Sequence, residues 1–202
     1  MAGLREQKRD RTRRAIVAVA MRLFAEKGFE QTTVTEIAAA AEVGRRTFFH
    51  YFDSKDELLF PEADERIGAA LEAIASRGER ETPAQLLIRA LDSARTADAD
   101  FGDGTAALRL RLVREIPSVA GRGALLQAEA QRTIGRALRE AFPDQFDEVS
   151  SAAMVGAFIG AVAAAVEAIQ QATPDASPAA KQRALRDALR RALVHDPETL
   201  AP

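Results

Sequence analysis

The chain has 202 residues and no cysteine, and 47% of it is hydrophobic, 29% charged and 5% aromatic. That composition fits a soluble helical protein with a full core, and it excludes disulfides, thiolate metal sites and thiol catalysis. The net charge of −2 hides an asymmetry: residues 1–27 carry eight Lys/Arg against three Asp/Glu, while residues 61–202 carry seventeen against twenty-one. A basic amino end on an acidic remainder is the electrostatic footprint of a small DNA-reading domain.

The first predicted helix runs from about Lys8 to Lys27, with Ile16, Val19, Ala20, Leu23 and Phe24 as its core stripe. Gly28 stops it as a left-handed cap and Phe29 folds back. Thr33 followed by Glu36 is a capping box, and Val34, Ile37, Ala38 and Ala41 then share one face. After a turn at Glu42–Gly44, a second short helix carries Arg45, Arg46, Thr47, Phe49 and His50 outward and Phe48 inward, with Phe52 also inward. Ser54 and Glu57 read as another capping box, opening a long helix to about Ser76 in which Pro61 is expected to kink the chain or mark a local start. This is a helix-turn-helix whose second helix is built for a major groove.

The stretches TVTEIAAAAEV, GRRTFFHYF and DSKDELL, with AIVAVAMRLFAEKGFEQTTV before them, resemble the tetracycline-repressor (TetR) family of bacterial regulators over roughly residues 9–60. Two positions depart from the family pattern. Glu42 stands where the turn usually has Gly, so it must hold the turn conformation with a side chain. Gly44 stands where Ser or Thr usually caps the recognition helix, and Gly is a somewhat weaker cap. RRTFFHYF taken with LRLRLVREIP is also similar to the mycofactocin-type, acyl-CoA-responsive branch of the family.

Further along, Thr82-Pro83 reads as a cap with proline at the first helical position, opening a helix to about Thr96. A break at Ala97–Thr105 precedes helices at Thr105–Ile116, Ser118–Ala141, Asp144–Ala172 and Pro178–His195. The total is an all-α protein of about nine helices, divided into a DNA-binding domain over residues 1–60 and an effector-binding and dimerisation domain over 61–202. The longest apolar run, Ala152 to Val166, is too short to span a bilayer and reads as a buried or interface helix. No signal peptide is evident, and a cytoplasmic location is expected.

Arg45 and Arg46 open the recognition helix, where an arginine fork either matches the two acceptors of guanine or holds a phosphate. Thr47 serves a phosphate or a thymine methyl, Phe49 suits an apolar contact, and His50 faces the same way. Lys55, Thr33 and Thr35 lie at helix starts, where phosphates bind. Tyr51 either reaches the DNA backbone or packs half-buried. The resemblance implies double-stranded palindromic operator DNA as partner, a homodimer through the last two long helices, and an effector enclosed by the middle helices. Phe101, Leu108, Arg109, Leu112, Met154, Phe158 and Ile159 are candidates to line that pocket. Arg109, Arg111, Arg114 and Arg122 form a basic cluster that either meets the anionic head of an apolar or amphipathic ligand such as an acyl-CoA or is simply a solvated face. Gly156 and Gly160, four apart, make a small-residue strip.

The expected activity is a ligand-responsive transcriptional regulator, and a repressor in particular. The alternatives are a DNA-binding protein whose helical domain only dimerises, or an enzyme targeted to DNA. No catalytic constellation, metal site or cofactor motif is found: His50 and His195 lie at opposite ends of the chain, and no glycine motif cradles a phosphate.

Overall fold

The computed structural model describes residues 2–93 and 105–193, with side chains over 7–93 and 108–193. Among these residues the chain is all-α: α1 (Ala2–Lys27), α2 (Val34–Ala40), α3 (Arg45–Tyr51), a 3-10 turn (Asp56–Leu59), α4 (Ala63–Ala75), α5 (Pro83–Ser93), α6 (Thr105–Glu115), α7 (Pro117–Ala141), α8 (Glu148–Ala172) and α9 (Pro178–Leu193). The chain forms two compact units. The first holds residues 1–61 together with 111–122, and the second holds 62–110 and 123–202. The corner between α6 and α7 thus belongs with the amino-terminal helices, which sequence order alone does not suggest.

In the first unit, helical periodicity on α1 turns Ile16, Ala20, Met21, Leu23 and Phe24 into the core. Gly28 ends α1 at φ 86, a left-handed cap only glycine adopts without strain. Its N–H returns to the Phe24 carbonyl at 3.0 Å. Phe29 then folds back onto Phe24, with ring centroids 4.9 Å apart. Phe48, Phe52, Ile37 and Leu58 close the core, each at 2% exposure or less. Burying each such side chain contributes roughly 1.5–3 kcal/mol. Leu112 and Val119, from the α6–α7 corner, are buried in this unit as well.

The long fourth helix expected from Ser54 does not form. The Glu57 carboxylate accepts the Asp53 N–H at 2.7 Å, so Ser54 is not the cap. A 3-10 turn follows, and Pro61 lies just before α4, as the local start that proline permits.

In the second unit, α4, α5, α7, α8 and α9 share a core that includes Ile74, Leu87, Leu138, Val155, Phe158 and Leu189. The Thr82 hydroxyl caps α5 by accepting the Gln85 N–H at 3.3 Å, and the Gln85 side-chain oxygen accepts the Thr82 N–H at 2.9 Å in return. Arg89 fastens the loop before α5: it donates to Glu81 at 2.7 Å and to the Ala73 carbonyl at 2.9 Å. Lys181, only 6% exposed, donates to Gln170 and to the Pro174 carbonyl, tying the end of α8 to α9. By length and composition α8 is apolar enough to cross a membrane, which corrects the expectation drawn from Ala152–Val166 alone. Its two glycines have separate surroundings. A Cβ on Gly156 would lie 2.9 Å from the Gln131 amide nitrogen of α7, whereas Gly160 faces open space.

Candidate nucleic-acid interface

The first unit builds its DNA-facing element from caps and one buried anchor. Thr33 caps α2: its hydroxyl accepts the Glu36 N–H at 3.2 Å while the Glu36 carboxylate accepts the Thr33 N–H at 2.9 Å. Lys27 approaches the same carboxylate at 2.7 Å. The Lys27 ammonium, then the Thr33 amide and hydroxyl, pull the Glu36 carboxyl down to about 2. Between α2 and α3 the chain turns with Glu42 at φ 55, the one non-glycine positive φ in the described chain. Gly44 then stands at the N-cap of α3 without a side-chain bond.

Helix α3 has seven residues, and Phe48 is the one that is fully buried. Phe48 meets Phe52 at 5.8 Å between ring centroids, and Arg13 of α1 lies 4.7 Å over the Phe52 ring. With that side locked, Arg45, Arg46, Thr47, Phe49 and His50 all face solvent, and Tyr51 is half-buried beside the His50 ring. The face offers two guanidinium forks, a hydroxyl, an imidazole and an aromatic ring, a set suited to base edges and phosphates.

Two of the residues expected to contact phosphates also bond within the chain. The Lys55 ammonium donates to the carbonyls of Phe29 (2.8 Å), Thr32 (3.3 Å) and Glu30 (3.4 Å), and it sits 4.4 Å over the Phe29 ring. Lys55 is the N-cap residue of the 3-10 turn, and its ammonium is drawn to the loop after α1. The Thr33 hydroxyl also donates to Glu36 at 2.9 Å, next to a carboxylate that would repel a phosphate. Thr35, on the same short helix, is exposed.

Sequence reasoning missed the fastening of the turn after α3. Ser118 donates to Asp56 at 2.8 Å, and Arg122 donates to the Glu57 oxygen that Asp53 leaves open. These partners are 62 and 65 residues apart, beyond any periodicity signal. Thr32, 1% exposed, was missed too: its hydroxyl donates to the Gly28 carbonyl at 2.8 Å and braces the end of α1.

The family described as "Bacterial regulatory proteins, tetR family" matches residues 16–60, the stretch that builds this helix-turn-helix. Sequence similarity extends further: TcmR, an HTH-type transcriptional regulator of Streptomyces glaucescens, is 33% identical over 139 residues, 68% of this chain and 62% of the relative. The chain belongs to the tetR family. The HTH-type transcriptional repressor KstR2 of Rhodococcus jostii is 33% identical over 99 residues, 45% of this chain and 48% of that protein. The chain therefore spans about half to three fifths of the length of these two curated relatives. The crystal structure of Thermus thermophilus FadR, a TetR-family transcriptional repressor in complex with lauroyl-CoA, superposes with a TM-score of 0.51 at 26% identity, covering 94% of this chain and 98% of that one.

Within this tetR-family chain the residues expected to line an effector pocket are distributed over both units. Phe101 lies outside the described residues. Leu112 is buried in the first unit, not the second. Phe158 is part of the second unit's core, and Met154 and Ile159 pack against it. Leu108 and Arg109 are half-buried, and Arg109 lies 3.9 Å from the Glu62 carboxylate. The four arginines are divided as well. Arg109 belongs to the second unit, while Arg111, Arg114 and Arg122 belong to the first. Arg111 sits 4.0 Å from Glu115, and Arg122 is taken by Glu57. The physical reason is that residues 111–122 pack with the helix-turn-helix, so their shared charge does not imply a shared face.

Proposed function

We propose that this chain is a ligand-responsive transcriptional repressor that binds palindromic operator DNA as a homodimer, with α3 in the major groove. One observation carries the reading: α3 exposes five polar, basic or aromatic residues while Phe48 fixes its opposite side in the core. Arg45, Arg46, Thr47, Phe49 and His50 would meet DNA directly, with Tyr51 and Thr35 at the backbone, while Lys55 and Thr33 hold the element in shape. A cytoplasmic location follows from that activity. Selection of duplexes from a random pool, followed by titration, tests it. Enrichment of an inverted repeat supports the reading, and a pool that never enriches refutes it.

The homodimer is supported by α8, whose outer residues Ala152, Ala157, Gly160 and Ala164 are exposed in a single chain. An uncharged small-residue face of this length suits a second copy of the same helix. For the effector, the structural likeness to a repressor that holds lauroyl-CoA makes a long-chain acyl-CoA the first class to test. Arg109, half-buried beside Glu62, is the cation we assign to its head group. An inducer must bind the DNA-free form more tightly, and operator DNA must weaken its binding by the same factor. Calorimetry with an acyl-CoA series, with and without operator, tests that reciprocity. A series that neither binds nor displaces DNA removes this ligand class.

A further inference from the structure

Phe49 is 43% exposed, the only large hydrophobic side chain so exposed among the described residues of the first unit. Its ring packs against the core on one side. The ring of Phe48, which is itself 0% exposed, meets it edge-on at 5.4 Å and 84°, so the core sets its orientation. One turn earlier, the Arg45 guanidinium lies over the Phe49 ring, 5.7 Å from its centroid, within the range of a cation–π contact. No carboxylate among the described residues pairs with Arg45, so its fork remains open on the side away from the ring.

We propose that Arg45 and Phe49 act as one composite reader of two adjacent base pairs, Arg45 taking a guanine and Phe49 the methyl group of a thymine on the neighbouring pair. This rests on the DNA-reading role proposed above and goes beyond it by naming the base step. A guanidinium that forks onto guanine O6 and N7 lies in the plane of that base. A ring whose centroid lies 5.7 Å from the guanidinium carbon, on its face, is then displaced out of the guanine plane toward the level of the next pair, about 3.4 Å away. The major-groove edge of a base pair offers one apolar group, the thymine C5-methyl. Phenylalanine has no donor or acceptor with which to read anything else. The exposed ring is therefore matched by a methyl, and the pairing of ring with guanidinium places that methyl beside the guanine.

The test starts with the full-length protein and the operator selected from a random duplex pool. Within the enriched motif, thymine→uracil deletes only the methyl, and guanine→7-deazaguanine deletes only the N7 acceptor. Each change is expected to weaken binding of the unmodified protein about tenfold. In Phe49→Ala the uracil change should cost nothing further while the 7-deazaguanine change still does; in Arg45→Ala the pattern should reverse. Both residues are on the surface, and thermal melting of each variant confirms that the fold is kept. A motif without an adjacent guanine and thymine overturns the proposal. So does a uracil penalty that persists in Phe49→Ala, or a 7-deazaguanine penalty that persists in Arg45→Ala. A pool that never enriches overturns the DNA-binding reading and this proposal with it, whereas enrichment with no uracil penalty in the unmodified protein overturns this one alone.

Discussion

Lys55→Met separates a structural lysine from a phosphate-binding one. The ammonium makes one short contact, to the Phe29 carbonyl at 2.8 Å, and two longer ones, at 3.3 and 3.4 Å. A hydrogen bond from a charged donor contributes roughly 1.5–3 kcal/mol net, and the two longer contacts share the same ammonium and add little. Methionine keeps a stem of similar length against the Phe29 ring, so the substitution isolates the polar contacts. The expected loss is about 2 kcal/mol. The first unit has 61 residues plus 12 from the α6–α7 corner. At about 0.05–0.15 kcal/mol per residue, its total stability is roughly 4–11 kcal/mol, so the loss takes a fifth to a half of it. Thermal melting followed by circular dichroism should show a Tm lower by roughly 4–8 °C if the chain melts as a whole, and by roughly 8–16 °C if the first unit melts on its own. Operator binding, measured at a temperature where both proteins are folded, should keep the same dependence on salt. The reasoning is refuted by the opposite pair of results. An unchanged Tm with a salt slope shallower by about 0.9 per protomer would put Lys55 on a phosphate.

Three further outcomes are expected. Glu36 has a folded pKa of about 2 against an ordinary 4.5, so its stabilising contribution is present above about 4.5 and is lost as pH falls through about 2; the stability gap between the unmodified protein and Glu36→Gln, read by urea denaturation at successive pH values, should be full at pH 7 and absent near pH 2. Glu42→Gly should raise stability by about 0.5 kcal/mol, because relief of the strained φ of 55 outweighs the entropy that glycine adds to the unfolded chain, and a loss in a denaturation series would count against it. Gly160→Glu should leave the fold of a single chain intact, since the position faces open space, yet yield a monomer by light scattering where the unmodified protein should give a dimer; a dimer that persists places the interface elsewhere.

The parts legible in the sequence were those set by neighbours a few residues apart. The Thr33–Glu36 capping box, the left-handed Gly28, the strained Glu42 and the inward pair Phe48 and Phe52 all follow from spacing and local backbone rules. Ser54 and Glu57 satisfied the same rule and still failed, because the Glu57 carboxylate is shared between the Asp53 N–H and Arg122. The local pattern was displaced by one residue, to Asp53, while the other Glu57 oxygen meets a partner 65 residues away. Lys55 is the same case: it stands at what reads as a helix start, but carbonyls 23–26 residues earlier draw it inward. The arginines of 109–122 looked like one basic cluster because sequence shows their proximity and not the unit each packs with.

The glycines of α8 show what a spacing rule leaves open. Gly156 and Gly160 are one helical turn apart and look equivalent in the sequence, but only Gly156 is pressed by a neighbour, the Gln131 side chain. Val155, Phe158, Val162 and Val166 of α8 are turned into the core; apart from the first turn, where Val149 is 76% exposed, the exposed residues up to Ala168 are small: Ala152, Ala153, Ala157, Gly160, Ala163, Ala164 and Ala168. A helix meeting lipid tails has no need of small residues on its outer side, because fluid tails adapt to bulky side chains. A helix meeting another helix does need them, because small side chains let the two backbones approach and gain dispersion contacts along their length. The sorting of large residues inward and small ones outward, on a helix apolar enough to cross a membrane by composition, therefore favours a protein partner over a lipid one, and two-fold pairing brings the same face from a second chain without requiring any other surface.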